Sequence, residues 1–574
     1  MAEEHENDTR AGELAIKPEY LAPTKRKADE PAGEKRDTEE QVVAVPVDGK
    51  GKRKKSGVTR GRKRYMPPPQ YCKFKQDRGE CTNPKCRSIH ELEGPEGYLA
   101  NAPEDLAHLG IECPNIQDHG FCEYGVNCRF SSTHFKVEGN PFAGPYDPDN
   151  RPVFVPSDTI FQVRKKRYPY KCEPVVKELA SIKKDMVDFD TEHFVSEKLI
   201  LPGSTHELTH VAFKNRRDTP RMDISDKLAL APMCTVGNLP FRAVCVGQGA
   251  DITFSEMILA ESVMSGQKQD VSFAQKHPTE NFFGLQIAGR WPDEIAHTAE
   301  VLMAHTDAKF VDLNAACPLD LWTKKGMCAA LMGSTYDISR TLCSLTATVD
   351  VPVSVKVRVH GPRKPKATAL GLLPLFDATG VRTVWMHGRS ALQRYTKAAD
   401  WTLVQDTAKA GSPMGIDVGG CGDILTYADY CHVRETYPEV TGTMLGRGAL
   451  YKPWLFREIK EHHPIDISSG ERLDLIRQFV SHGLAHWGSD SVGVEKTRHY
   501  LLEWLSFACR YVPLGILTQP QAMNLRAPEY IGRDDLETLM GSHRASDWVK
   551  ISEMVLGKVP EGYTFEPKHR SSAY

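Results

Sequence analysis

Lys309–Asp320, K-F-V-D-L-N-A-A-C-P-L-D, decides how the rest of the chain is read. Phe310, Val311 and Leu313 make a short apolar strand that runs into a polar turn, where Asn314 and Cys317 meet a proline. Parallel α/β folds mount chemistry at this point, because the strand holds the backbone still while the following loop exposes a side chain. Alone, Cys317 is one of 15 cysteines and reads more readily as a small core hydrophobe. Its surroundings change that balance.

Outward from this stretch, residues 222–465 repeat the texture of strand, turn and helix. Candidate strands are Leu228–Pro232, Asp251–Ser255, Phe282–Ile287, Phe310–Asn314, Val353–Val359, Thr383–His387, Met414–Val418 and Thr441–Leu445. Helix-length segments such as Asn238–Gly247, Pro292–His305 and Asp423–Tyr437 lie between them. Eight strands in this length predict an α/β fold, a (β/α)8 TIM barrel. An open doubly wound sheet is the alternative, but no glycine-rich dinucleotide fingerprint follows the first strand.

In a barrel the C-terminal strand ends share one face, so their residues form one candidate site. Strand one ends in Pro232, Met233 and Cys234, and strand three carries Gln286, whose amide suits a flat heterocycle. Strand four gives Asn314 and Cys317. Strand five presents Lys356 and Arg358 two apart, hence on one face. Strand six ends in His387 and Arg389, strand seven in Cys421, Gly422 and Asp423, and strand eight in Gly446 and Arg447. Glycines after the last two strands predict a phosphate-bearing cofactor held by backbone N–H groups.

The flanks predict nucleic acid as the partner. Residues 1–48 hold 13 acidic against 7 basic side chains, whereas 50–90 hold 14 basic against 2 acidic. Residues 1–64 are too poor in aromatic and β-branched residues to fold alone and read as a disordered charged tail. Cys72, Cys81, Cys86 and His90 follow C-x8-C-x4-C-x3-H, and Cys113, Cys122, Cys128 and His134 follow C-x8-C-x5-C-x5-H. Three thiolates and an imidazole suit tetrahedral Zn2+, and segments this short and polar need such a staple. Both resemble the CCCH zinc fingers of RNA-binding proteins, so residues 65–136 read as tandem fingers. Aromatic residues between the ligands either form the small finger cores or stack on unpaired bases.

Residues 137–221 read as a linker with some helix. Residues 466–560 read as a helical domain whose apolar faces carry Leu473, Ile476, Val480 and Leu484, and Val494, Leu501, Leu505 and Cys509. Arg498, His499, Arg510, Arg526, Arg533 and Lys550 are expected on its outside, with Trp504 and Trp548 in the core. Residues 561–574 form a tail. No run of 18 apolar residues or hydrophobic leader is readable, so the expected location is the nucleus and cytoplasm, without a membrane.

Taken together, L-A-P-M-C-T-V-G-N-L-P-F-R (230–242), Gln286, D-L-N-A-A-C-P (312–318), V-K-V-R (355–358), H-G-R-S-A-L-Q-R-Y-T-K-A-A-D-W (387–401), G-C-G-D-I (420–424) and L-G-R-G-A-L-Y-K-P-W (445–454) resemble the flavin-dependent tRNA-dihydrouridine synthases. The tandem fingers and W-V-K-I-S-E-M-V-L-G-K-V-P-E-G-Y-T-F (548–565) are similar to the eukaryotic subfamily acting on the variable-loop uridine, position 47. The resemblance spans residues 65–574. It implies FMN reduced by NADPH, with NADH as an alternative, and reduction of the uridine C5–C6 bond in cytoplasmic tRNA, and in mRNA as a further substrate, by a monomer. It implies that Cys317 protonates C5 and that Pro232, Met233, Cys234, Gln286, Lys356, His387, Cys421, Gly422, Asp423, Gly446 and Arg447 hold the cofactor. Asn314, Arg358, Arg389 and Lys397 are the implied substrate contacts. The thiol is expected to stay protonated in a partly desolvated pocket.

Three positions depart from the family pattern. Ala316 stands where glycine precedes Cys-Pro, Cys328 replaces a lid-loop glycine, and Cys421 replaces an asparagine. Cys328 makes a second candidate for the acid and a redox partner for Cys317. Two other functions compete. A free-pyrimidine dehydrogenase would need neither fingers nor a basic arm, and a non-catalytic RNA-binding barrel would need none of Cys317, Gln286, Lys356 and His387.

Overall fold

The computed structural model describes residues 14–22, 70–72, 80–90, 104–120, 122–136, 155–181, 219–362, 368–523 and 525–568. Within the N-terminal tail, the runs of Lys and Arg at 25–27, 52–55 and 62–64 lie outside them. Eight parallel strands form the barrel: β1 Leu228–Leu230, β2 Thr253–Phe254, β3 Phe283–Ala288, β4 Phe310–Asn314, β5 Val353–Arg358, β6 Thr383–His387, β7 Asp417–Cys421 and β8 Gly442–Leu445. Each pairs with its neighbour in order from β3 to β8. β8 pairs with β1, and the Ala229–Ile252 bridge closes the ring between β1 and β2. A short strand, Ile258–Leu259, also pairs with the end of β3.

The interior is filled by large rings facing glycines. Phe254, Phe310 and Trp385 pack edge to face, with centroids 5.0 and 6.0 Å apart. A Cβ at Gly284 would lie 2.2 Å from the Phe310 ring, and one at Gly419 would lie 2.3 Å from the Trp385 ring. On the outer side, a Cβ at Gly420 would lie 2.1 Å from Trp401.

These contacts explain one correction. The sequence placed strand seven at Met414–Val418 with its glycines in the following loop, whereas β7 runs over Asp417–Cys421. Met414 ends a 3-10 turn, and Gly415 lies at φ +69°, a left-handed position that breaks the strand. Gly419 and Gly420 are paired with Trp385 and Met386 inside the sheet. Their lack of side chains admits two tryptophans and is not a mark of a turn.

Around the barrel, the expected helix at Asn238 begins with Asn238 as its cap, its side chain accepting from Phe241 N. The helix expected from Asp423 begins later, at Tyr427, behind a Thr426–Asp429 capping box. Within the expected linker, helices Ser157–Arg164 and Glu173–Ser181 sit on the barrel. Tyr170 stacks on His297 at 3.8 Å, and Glu300 accepts the N–H groups of Lys171 and Cys172.

The helical domain pairs Ser469–Trp487 with Ser491–Ala508 and adds Asp535–Gly541 and Ala545–Leu556. The expected apolar faces are buried, as are Trp504 and Trp548. Arg498 is not on the outside: it is 1% exposed and donates to Ser552 Oγ and to the carbonyls of Leu556 and Gly557, closing the end of the last helix. Arg533 is engaged by Asp466 and Glu537.

The first 64 residues also differ from the expectation over 14–22. Leu14 and Ile16, two apart and so on one side of an extended segment, bury against Val512, Ile516 and Tyr530. Ile16 bridges Leu517 and Leu21 bridges Tyr530 in antiparallel fashion.

Candidate active site

At the C-terminal ends of the strands lies a cavity of about 570 Å3. Pro232, Met233, Cys234, Gln286, Asn314, Cys317, Lys356, Arg358, His387, Cys421, Gly422, Asp423, Gly446 and Arg447, from seven strand ends, all line it. Arg389 and Lys397 do not.

The cysteine loop is shaped by its neighbours. Asn314 Oδ1 accepts from the N–H groups of Ala316 and Cys317, at 3.1 and 3.0 Å, folding the chain directly after β4. Asn314 Nδ2 donates to Gln286 Oε1 at 2.8 Å, and Gln286 Nε2 donates to Asp312 Oδ2 at 2.8 Å. Arg358 Nε donates to the Ala316 carbonyl at 2.8 Å, and its Nη1 to the Ser390 carbonyl at 3.0 Å. Asn314 and Arg358, expected to touch substrate, therefore hold the loop that presents Cys317. Alanine at 316 fits because the loop needs only its N–H and C=O.

Cys328 packs beside Cys317 in a pocket with Met257, Met327 and Trp322. Its φ is +55°, the left-handed region where glycine is free of strain, which gives a physical reason for glycine being usual there. The Cys328 thiol lowers the Cys317 pKa to about 7 by hydrogen bonding, outweighing burial, which acts upward; Arg358 lowers it further. Cys328 itself is pushed strongly up. Burial acts on Cys317 in the direction the sequence led one to expect, and the neighbouring sulfur opposes it.

Lys356 is 7% exposed and, among the described residues, its ammonium makes no hydrogen bond or ion pair. Burial pushes its pKa down. His387 is pushed well down by burial and by Arg358 and Lys356, so its imidazole is neutral. Asp423, at φ +55°, accepts from Arg389 Nη2 at 2.5 and 2.6 Å, from Arg447 Nη2 at 2.8 Å and from Ala399 N at 2.8 Å. Arg389 is fully buried, its Nε donating to the Lys397 carbonyl, so it braces the glycine turns. Lys397 is exposed outside the cavity.

Further residues escaped the sequence reading. Tyr395 lines the cavity beneath Arg447, whose guanidinium lies 4.1 Å from its ring. Glu256 accepts from Thr235 N at 2.7 Å, fixing the turn after β1, where Thr235 has φ +73°. Phe507, Arg510 and Met523 reach the cavity from the helical domain, and Lys568 from the tail. Tyr395 and Thr235 lie inside the quoted 387–401 and 230–242 motifs, and Arg510 was expected only as an outward-facing base. The other contacts depend on how two domains meet.

Away from the cavity, the ligand atoms of Cys72, Cys81, Cys86 and His90 lie within 4.8 Å of one another, as do those of Cys113, Cys122, Cys128 and His134. Both ring nitrogens of the buried His134 lack a hydrogen-bond partner, which fits a metal at that position. Phe130 and Tyr124 are packed inside the protein; Phe135 and the segment 73–79 lie outside the described side chains. No helix among the described residues is long and apolar enough to cross a membrane.

Comparison with known proteins gives a consistent picture. A profile described as "Dihydrouridine synthase (Dus)" matches residues 229–506. A rat protein named "tRNA-dihydrouridine(47) synthase [NAD(P)(+)]-like" is 40% identical over 530 residues, covering 85% of this chain and 79% of that protein. The human protein of that name is 39% identical over 527 residues, covering 85% and 78%. An Arabidopsis thaliana relative of the same name is 44% identical over 354 residues, 62% of this chain and 51% of its own.

Proposed function

Because the chain belongs to the dihydrouridine synthase family, we propose that it reduces the C5–C6 double bond of a uridine in tRNA, with Cys317 donating the proton to C5. One observation carries this reading: a half-buried cysteine, on a loop pinned by Asn314 and Arg358, shares a cavity with an unpaired buried lysine and two glycine turns.

The cavity suits FMN. Its size lies within the usual range for cofactor sites. The lone ammonium of Lys356 calls for an electron-rich partner, and the backbone at Gly422 and Gly446 is open for a phosphate. Bound there, FMN would be reduced by NADPH or NADH and would supply hydride to C6 of uracil. Lys356 then stabilises negative charge on the pyrimidine edge of the ring system. Gln286 keeps one N–H and one lone pair beyond its bonds to Asp312 and Asn314, enough to pair with that edge. His387 stays neutral and serves as a hydrogen-bonding group without repelling the neighbouring cations. Cys317 holds a proton until C5 develops carbanion character and then delivers it.

A uridine reaches this depth only by leaving its stack. Arg510 and Lys568 face the cavity from the helical domain and the tail, where the RNA backbone would lie. We assign the substrate to the variable loop, position 47, with mRNA uridines as secondary substrates, the two fingers holding Zn2+ and the protein acting in nucleus and cytoplasm. The test is incubation of FMN-loaded protein with NADPH and unmodified tRNA, with dihydrouridine mapped by position. Dihydrouridine at the variable loop supports the full reading. Dihydrouridine elsewhere overturns the position, and reduction of free uracil without tRNA overturns the RNA substrate.

A further inference from the structure

We infer that Ser489, in the turn between the two long helices of the helical domain, hydrogen-bonds the thiolates of the Cys113–Cys122–Cys128–His134 metal centre, so that this finger is completed by the helical domain. The inference rests on reading that cluster as a zinc site.

Ser489 is fully buried, and its Oγ lies 3.0 Å from Cys128 Sγ and 3.5 Å from Cys122 Sγ. Asn115 Nδ2 donates to the same oxygen at 3.0 Å. The amide occupies one lone pair of the hydroxyl, which leaves the hydroxyl proton directed at sulfur. Metal-bound thiolates carry no proton, so in the zinc form the hydroxyl is the donor. Three thiolates around Zn2+ leave one net negative charge in a buried place. A hydrogen bond to sulfur spreads that charge and lowers the basicity of the thiolate, which slows protonation and loss of the metal.

The backbone fixes the hydroxyl in position. Arg129 N donates to the Ser489 carbonyl at 2.8 Å, and Cys128 pairs with Asp490 as an antiparallel bridge. Asp490 caps the helix Ser491–Ala508 through Gly493 N and accepts from Gln70 Nε2 at 2.6 Å. Gly488, at φ +109°, lies under the Tyr124 ring, where a Cβ would meet the hydroxyl at 2.5 Å. The finger is therefore seated on the helix junction by backbone, cap and aromatic contacts at once. The sulfurs of the first cluster have no hydrogen bond to the helical domain among the described residues, so that cluster is an internal control.

The experiment uses the full chain carrying zinc. Release of metal to a chelating dye is followed for wild type, Ser489→Ala and Ser489→Thr, and the 113Cd resonances of cadmium-exchanged protein are compared. Ser489→Ala is expected to speed release of one metal equivalent by about tenfold, within the ~10–100-fold range for second-sphere partners. It should leave the other equivalent at its wild-type rate and move one of two 113Cd resonances, and Ser489→Thr should restore both. If Ser489→Ala does not accumulate as folded protein, Asn115→Ala, which frees the hydroxyl to rotate, should move the same resonance. Two metals released at wild-type rates with both resonances unmoved overturn the inference alone, as does equal acceleration of both. Wild-type protein with no metal in this cluster overturns the zinc reading with it.

Discussion

As the proposed proton donor, Cys317 has to hold a proton at the moment of reaction, yet Cys328 lowers its pKa to about 7. A general acid works below its pKa, so uridine reduction should fall as pH rises through about 7. Cys328→Ala removes the hydrogen bond, leaving burial to act upward, and the alkaline limb should then move towards the ordinary thiol value of ~8.5 or above. Single-turnover rates against pH measure this, and an unmoved limb would show that Cys328 does not tune the acid. At this scale the sequence was informative about residue type and location. Cys317, Gln286, Lys356 and His387 converge as expected. It was less informative about hydrogen bonding: Asn314 bonds Gln286 and the backbone of the cysteine loop, Arg358 bonds the Ala316 and Ser390 carbonyls, and Arg389 bonds Asp423 and the Lys397 carbonyl. Such bonds depend on distances that spacing along a chain does not contain.

Strands give their apolar rhythm away, so seven of the eight barrel strands were legible to within two residues. The exception, β7, carries Gly419 and Gly420 in its interior, and glycine in sequence reads as a turn. What fixes them is Trp385 on one side and Trp401 on the other. Gly420→Ala is therefore expected to destabilise the barrel by ~1–3 kcal/mol through overpacking. Thermal or denaturant unfolding of the pure variant measures it. A variant as stable as the parent would mean that Trp401 yields without cost.

Across the whole molecule, the catalytic cavity belongs to more than the barrel. Phe507, Arg510, Met523 and Lys568 line it from beyond residue 465. Lys568 is brought there because its N–H bonds the buried Glu503 carboxylate and Phe565 packs against Trp548 and His499. A tail of mixed composition carried no sign of this return in sequence. Lys568→Ala is expected to raise KM for tRNA several-fold while leaving flavin reduction by NADPH unchanged, and steady-state kinetics of the two half-reactions separate these effects. An unchanged KM would remove the tail from substrate binding. The most direct test of the account takes the full chain, loaded with FMN and reduced without oxygen, and mixes it with unmodified tRNA. Wild type should reoxidise its flavin and form dihydrouridine. Cys317→Ala should bind tRNA and accept electrons from NADPH normally but reoxidise ~10²–10⁴-fold more slowly, the usual contribution of a general acid. Wild-type reoxidation by Cys317→Ala, or loss of it in Cys328→Ala instead, would contradict the assignment of Cys317 as the proton donor.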